Sequence, residues 1–297
     1  MATLACLGLG YCARHYVAEF GARFDRIVGT TRTAEKAVAL GAQRFGGRAV
    51  EMHVFDGTVA SPGLRAAVEE ADSILLSAAP AEGGDPVLAA FGKSISAEQP
   101  LRSVVYLSTI GVYADSGGAW IDETADVVAG RRSARADVER AWQDLCARYG
   151  VAFATLRLGG IYGPGQNMLS RLRRGPVPRI AKPGHVLNRI HVDDIAQAID
   201  ATIDACAEGA FNLVDDEPAP ASEVTAFAAG LLGIAPEPET PYADAGKVLS
   251  PAALGFYERC IRVRNDKLKH ELGVTLRYPT YREGLRALYA TEPASPR

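Results

Sequence analysis

The chain predicts an α/β fold, a doubly wound parallel sheet with a smaller C-terminal part. Two observations carry that expectation. Short apolar runs near residues 3, 26, 50, 73, 103 and 152 alternate with helical patterns, as parallel strands joined by right-handed crossover helices require. The first run, Thr3 to Leu7, passes directly into Gly8-Leu9-Gly10-Tyr11-Cys12-Ala13 and then into a helical pattern ending at Phe20. Strand, tight glycine turn and helix is the order that a dinucleotide's pyrophosphate requires. Gly8 permits the turn, Gly10 lets the backbone approach the phosphates, and Ala13 is small enough for helix and strand to pack closely. The helix beginning near Tyr11 and Cys12 then turns its unpaired amides and positive dipole end toward the anion.

A second strand, Arg26 to Thr30, runs into Thr31-Arg32, where a protein that prefers NAD usually places an Asp or Glu for the ribose hydroxyls. An Arg there suits a 2′-phosphate, which it grips through two parallel charge-assisted hydrogen bonds, so the expected cofactor is NADP. Lys36, one helical turn on, offers a second positive charge; the competing reading is that both are solvated charges at a helix start. A third strand, Val50 to Phe55, ends at Asp56, placed to meet the adenine edge. A fourth, Ser73 to Leu76, ends in Ser77-Ala78-Ala79-Pro80, small residues where the chain must pass close under a flat cofactor.

Asp85 before Pro86 marks a helix start, and Ser103 to Ser108 and Val151 to Leu158 read as buried strands. After Leu158 the texture changes: Gly159, Gly160, Gly163, Pro164 and Gly165 interrupt regularity, and Pro176, Pro178 and Pro183 follow. Residues 1–158 are therefore expected to form the cofactor-binding domain and 159–297 mainly a substrate-binding part, with 189–214 returning to the first sheet. Within that return, His191-Val192-Asp193-Asp194 opens a helix from Ile195 to Cys206, and Ala210 to Val214 reads as a last strand. An alanine-rich helix through Leu232, a strand-like Cys260 to Val263, short helices around Lys267 and Leu285 and a frayed end from Thr291 complete the chain.

At 297 residues, 48% hydrophobic and 23% charged, the composition is that of a soluble globular protein. A net charge of −3 gives no footprint for nucleic acid or an acidic membrane, and no run approaches the ~20 apolar residues that span a bilayer. Five scattered cysteines, never paired as Cys-x-x-Cys, read as the reduced thiols of a cytoplasmic protein. The five histidines lack metal-ligand spacing, so no metal is expected. The expected partner is a small molecule. Arg171-Leu172-Arg173-Arg174 is either a solvated face or the edge of a pocket for an anionic substrate, and assembly into a homodimer is left open.

Beyond the glycine turn at Gly8 to Ala13, three stretches stand out: Tyr106-Leu107-Ser108-Thr109-Ile110-Gly111-Val112-Tyr113, Arg157-Leu158-Gly159-Gly160-Ile161-Tyr162-Gly163-Pro164-Gly165 and Arg189-Ile190-His191-Val192-Asp193-Asp194-Ile195-Ala196. With them the chain resembles, over essentially its whole length, the extended branch of the short-chain dehydrogenase/reductase superfamily, the epimerase/dehydratase-like proteins. The resemblance implies a Rossmann domain, a bound nicotinamide cofactor and a substrate cleft over the carboxyl ends of the strands. It also implies a catalytic Ser or Thr three places before the Val of Val112-Tyr113, which selects Thr109, with Ser108 beside it. A Tyr-x-x-x-Lys pair should follow, with a Glu one turn beyond. Glu139 matches that Glu, which aligns Arg131 with the Tyr and Arg135 with the Lys.

The usual proton donor is therefore absent. Arg keeps its charge, with a pKa above ~12, so Arg131 is a poor general acid or base. Arg135 can still hold ribose hydroxyls and supply positive potential, and Arg131 can clamp a carboxylate or phosphate; the alternative is a solvated helix start. Tyr113 and Tyr162, in loops after strands, are the replacement phenols, with Ser133 and Ser108 weaker candidates. Each tyrosine otherwise reads as a packing residue with its hydroxyl at the rim. His191 is read as a structural hydrogen bond at a helix start, and Asp193 and Asp194 as capping groups. Gly160 stands where sugar-nucleotide relatives often carry an Asn, which weighs against a nucleotide-sugar substrate.

Three functions fit these residues. The leading expectation is an NADP(H)-binding oxidoreductase acting on a small carbonyl or hydroxyl compound, with Thr109 orienting the reacting oxygen. The alternatives are a non-catalytic NADP(H)-binding regulatory protein and an epimerase or dehydratase that retains its cofactor.

Overall fold

The computed structural model describes residues 2–81, 84–128 and 134–292. The first half of the chain runs β1 (Thr3–Leu7), α1 (Tyr11–Phe20), β2 (Arg26–Thr31), α2 (Ala34–Gly41), β3 (Glu51–Val54), α3 (Pro62–Glu69), β4 (Ser73–Leu76), α4 (Pro86–Phe91), β5 (Ser103–Thr109), β6 (Trp120–Ile121), α5 (Ala134–Tyr149) and β7 (Ala152–Leu158). The second half runs β8 (Gly160–Tyr162), α6 (Met168–Arg174), β9 (Arg179–Ala181), β10 (Arg189–His191), α7 (Val192–Asp204), β11 (Gly209–Leu213), α8 (Ala221–Leu232), β12 (Glu239–Pro241), α9 (Pro251–Gly255), β13 (Arg262–Val263), α10 (Asp266–Glu271) and α11 (Tyr281–Thr291).

Strands β1, β4, β5 and β7 read as nearly unbroken apolar runs because helices cover both faces of the sheet. Neighbours on β1 point to opposite layers. Leu4 and Cys6 join a core with Val17 of α1 and Ile199 of α7, whereas Ala5 and Leu7 join one with Leu64 of α3, Phe91 of α4 and Trp142 of α5. The seven-stranded sheet has the order β11-β7-β5-β4-β1-β2-β3, every pairing parallel. Its winding reverses between β1 and β4. The crevice outside the carboxyl ends at such a reversal is where open α/β sheets bind ligands.

Local chemistry sets the helix starts. Asp85 accepts a hydrogen bond from the Val87 amide at 2.9 Å with Pro86 in the first turn of α4, and its second oxygen takes the Trp142 indole N–H at 2.5 Å. One carboxylate thus caps a helix and fixes α5 against it. Thr280 and Glu283 form a reciprocal capping box on α11. A third core, with Leu172 of α6, Ala228 of α8 and Leu285 of α11, supports the part that follows β7.

The return of the chain after that part differs from expectation. β11 pairs with β7 at the edge of the main sheet, but Arg189–His191 pairs with β8 in a separate two-stranded sheet. Gly159 explains the departure: its amide still bonds to Leu213 at 2.9 Å, yet a Cβ there would stand 3.1 Å from the backbone of Asn188, so the two chains press together and leave the main sheet side by side. Among the described residues no helix is long and apolar enough to cross a membrane.

Candidate functional site

The glycine turn lies at the reversal point. Gly8 has φ +102°, a left-handed conformation, and a Cβ there would stand 2.7 Å from the Ala78 amide nitrogen. The turn is pinned from two strands: the Gly8 and Leu9 amides donate to the Thr30 hydroxyl and carbonyl, each at 2.8 Å, and the Ser77 and Ala78 amides donate to Leu7 O, each at 3.0 Å. Gly10, by contrast, is uncrowded, the nearest atom to a Cβ being Ser77 Oγ at an ordinary 3.8 Å. No side chain caps α1 and no acid lies in its first turn, so its amides are available to an anion. These features fit a dinucleotide pyrophosphate. Cys12 and Ala13 are buried in the core and contribute by packing, burial pushing the Cys12 thiol up to about 11. Tyr11 reaches away from the turn, donating to Pro164 O at 3.0 Å.

At the other end of the groove, Thr31 is buried while Arg32 and Lys36 are exposed and form no ion pair among the described residues. Asp56 is exposed, and one of its oxygens accepts from the Thr58 amide at 2.9 Å and hydroxyl at 2.7 Å, which holds its carboxyl below the usual range. Ser77 and Ala78 are half-buried with both amides spent on β1, and Ala79 and Pro80 continue the strand exit.

The end of β5 carries Thr109, the residue the resemblance selects. Thr109 Oγ1 accepts from the Gly111 amide at 3.0 Å, which leaves its hydroxyl proton free to donate. Ser108 and Tyr113 are not in that position. Ser108 is buried and donates to Glu139 at 2.5 Å; Glu139 pairs with Arg157 at 2.8 Å; Arg157 donates to the Tyr113 hydroxyl at 2.8 Å; and that hydroxyl donates to Asn212 at 2.7 Å. Tyr113 is fully buried with both hydroxyl roles used, so it serves as a strut rather than a proton donor to the cleft. Arg135 donates to Leu107 O at 2.9 Å and to the Tyr106 hydroxyl at 3.3 Å, which brings a guanidinium to the carboxyl end of β5. Arg131 and Ser133 lie outside the described residues.

A cleft of about 890 Å³ begins at Thr109 and ends among the arginines of α6. Thr109 and Tyr162 both line it, and so do Arg171 and Arg174. Burial pushes the Tyr162 phenol above the ordinary range, and its hydroxyl has one acceptor, Thr280 O, at 3.5 Å. Two further cations, Arg189 and Arg259, were given no role from the sequence; with Arg171 and Arg174 they make four arginines, and no described carboxylate lines the cleft. Arg259 is strapped across the loop after Thr109, its Nη1 donating to Gly111 O at 3.0 Å and Tyr113 O at 2.8 Å. His191 caps α7, accepting from the Asp193 amide at 3.2 Å, and burial drives its pKa down to about 4, so it is neutral. Asp194 accepts the Arg277 and Tyr278 amides at 2.6 and 3.2 Å.

Known proteins match this architecture. No family model matches the chain. The UDP-N-acetylglucosamine 4-epimerase of Bacillus cereus is 15% identical with a TM-score of 0.71, covering 98% of this chain and 99% of that one. The UDP-glucose 4-epimerase of Thermus thermophilus, solved as a complex with NAD, is 20% identical with a TM-score of 0.71, covering 99% and 100%. The chain has the fold of the extended short-chain dehydrogenase/reductases of the NAD-dependent epimerase/dehydratase type. More particularly, it belongs to one family with a conserved protein of unknown function from Silicibacter pomeroyi, 41% identical over 98% of this chain and 99% of that one, with a TM-score of 0.86. A 3-diazoavenalumate denitrifying reductase of a Streptomyces species is 32% identical over 161 residues, so the chain spans about half the length of that curated relative, the match covering 50% of each.

Proposed function

We propose that this protein is an NADP(H)-dependent reductase of a small anionic compound. The observation that carries the reading is the cleft that joins Thr109 to four arginines with no described carboxylate in its wall. An anion entering it meets positive potential from these side chains. The glycine turn and the start of α1 fit the pyrophosphate of the dinucleotide, and exposed, unpaired Arg32 with Lys36 fits a 2′-phosphate.

The nicotinamide, when bound, supplies the hydride; the chain's own residues do the rest. Thr109 donates its free hydroxyl proton in a hydrogen bond to the reacting oxygen, while Arg259 sets a fixed cation beside it where negative charge develops. Arg135 adds positive potential from the carboxyl end of β5. The apolar wall, Ile110, Ile161 and Phe256 among it, limits water around the reacting atoms. With Tyr113 used as a strut, the final proton comes from Tyr162, which lines the cleft with Thr109, from water or from the substrate.

A second reading follows from the missing phenol. The relative matched over half its length is named for reducing a diazo compound with loss of nitrogen, and an acceptor that exchanges a leaving group for hydride needs no proton from a tyrosine. The proposal is tested by following NADPH oxidation against a panel of carboxylate-bearing aldehydes, ketones and aryl diazonium salts. Thr109→Ala should lower kcat on a carbonyl substrate roughly a hundredfold, the cost of one such donor, with NADPH affinity unchanged. Tight NADPH binding with no oxidation across the panel would leave a non-catalytic binding protein instead, and an unchanged Thr109→Ala rate would remove the assigned role.

A further inference from the structure

Three features meet in the wall of the cleft. The first is Arg189. Its Nη1 is tied back to Leu187 O at 2.8 Å and Ala219 O at 3.0 Å, and it forms no ion pair with any described residue. That tether fixes the plane of the guanidinium and leaves the Nε and Nη2 edge without a described partner, the edge that takes a carboxylate side-on through two parallel bonds. The nearby carboxyl of Asp215 attracts it without closing an ion pair. One Asp215 oxygen is buried with no partner among the described residues, and burial raises that group toward its neutral form.

The second feature is Tyr281. It is 0% exposed and lines the cleft, with its ring centroid 6.0 Å from the Arg189 guanidinium carbon. Its hydroxyl is buried without a hydrogen-bond partner among the described residues, a costly state for a donor unless a ligand completes it. The third is the start of α8. Its N-cap is Pro220, which offers no capping side chain, and Ala221 and Val224 of its first turn line the cleft. The acid of that turn, Glu223, is exposed. Arg189, Tyr281 and the first turn of α8 therefore line one apolar-walled recess with Leu187 and Leu285.

We propose that this recess anchors the carboxylate of the substrate, held side-on by Arg189, by the Tyr281 hydroxyl and by the first amides of α8, with the apolar body of the substrate lying along the cleft toward Thr109. The inference deepens the reductase reading and rests on it for the direction of the substrate, though not for the anchor itself. A planar carboxylate fits better than a phosphate because the recess offers one guanidinium edge and a single hydroxyl between apolar walls.

The test is calorimetric titration of the NADP-saturated protein with trans-cinnamate, its neutral isostere cinnamamide, and phenyl phosphate. Cinnamate should bind at least tenfold more tightly than either competitor. Arg189→Gln should abolish that preference while leaving NADP affinity intact. Should Arg189→Gln fail to fold, Tyr281→Phe decides: it keeps the packing, removes only the orphan hydroxyl, and should weaken cinnamate about tenfold with no effect on cinnamamide. Equal affinity for acid and amide, tighter binding of phenyl phosphate, or an unchanged acid preference in either folded variant would overturn the anchor. Binding of cinnamate with no turnover of any carbonyl or diazonium compound would leave the anchor standing and overturn the reductase reading; turnover without acid preference would do the reverse.

Discussion

Replacing Asp215 by Asn should flatten the pH dependence of stability. The Asp215 carboxyl is 2% exposed; one oxygen accepts the Glu217 amide at 3.3 Å, and the other has no partner among the described residues. Desolvation outweighs the attraction of Arg189 and pushes the group from an ordinary 3.8 to about 8. A folded-state value raised in this way gives stability that is fully present below the unfolded value and is lost as pH rises through the folded one. Between pH 6 and pH 8 the unfolded chain is ionised throughout while the folded chain holds its proton until the end of the interval, so stability falls by on the order of 2–3 kcal/mol. At roughly 2–4 °C per kcal/mol for a large domain, the wild-type melting temperature drops about 5–10 °C more than that of Asp215→Asn over the same interval. Asn keeps the shape and the Glu217 bond but cannot ionise. Urea and thermal unfolding of both proteins at the two pH values measure the difference. If both lose stability in parallel, the buried carboxyl is not titrating as argued.

Two further outcomes concern the cofactor groove. Gly8→Ala places a methyl 2.7 Å from the Ala78 amide in a left-handed backbone, so it should cost about 2–4 kcal/mol of stability and weaken dinucleotide binding, read by chemical unfolding and titration. Arg32→Ala should erase a preference for NADPH over NADH of at least tenfold, about 1.4 kcal/mol, measured by titration with both dinucleotides; equal affinities in the wild type would refute the assignment of the 2′-phosphate.

The fold was legible where local chemistry and global position agree. Thr3 to Leu7 with its glycine turn, the Asp85-Pro86 start and the apolar runs at β5 and β7 each declare themselves within a few residues. Tyr113 did not, because the partners that turn it inward, Arg157 and Asn212, lie 44 and 99 positions away and become neighbours only when β7 and β11 join the sheet. Arg157, which lies in a strand read as buried, gains its partner only when Glu139 is brought against it from α5. The roles of Arg189 and Arg259 were hidden for a similar reason. Their side chains are aimed by backbone carbonyls of Ala219 and Gly111, which no spacing rule relates to them. The short β8–β10 pairing was hidden too, since a three-residue strand carries almost no periodicity.

The pinned turn at Gly8 has a consequence for how this molecule can change over generations. Its conformation is held by bonds from its amides to the Thr30 carbonyl and hydroxyl, so the surface offered to the dinucleotide is finished when folding ends and depends on few side chains beyond Thr30. The cleft is built the opposite way, from long arginines and exchangeable apolar residues on separate elements. A constant ligand is met by backbone and a variable one by side chains. New substrates can therefore be explored one residue at a time while the redox partner stays the same.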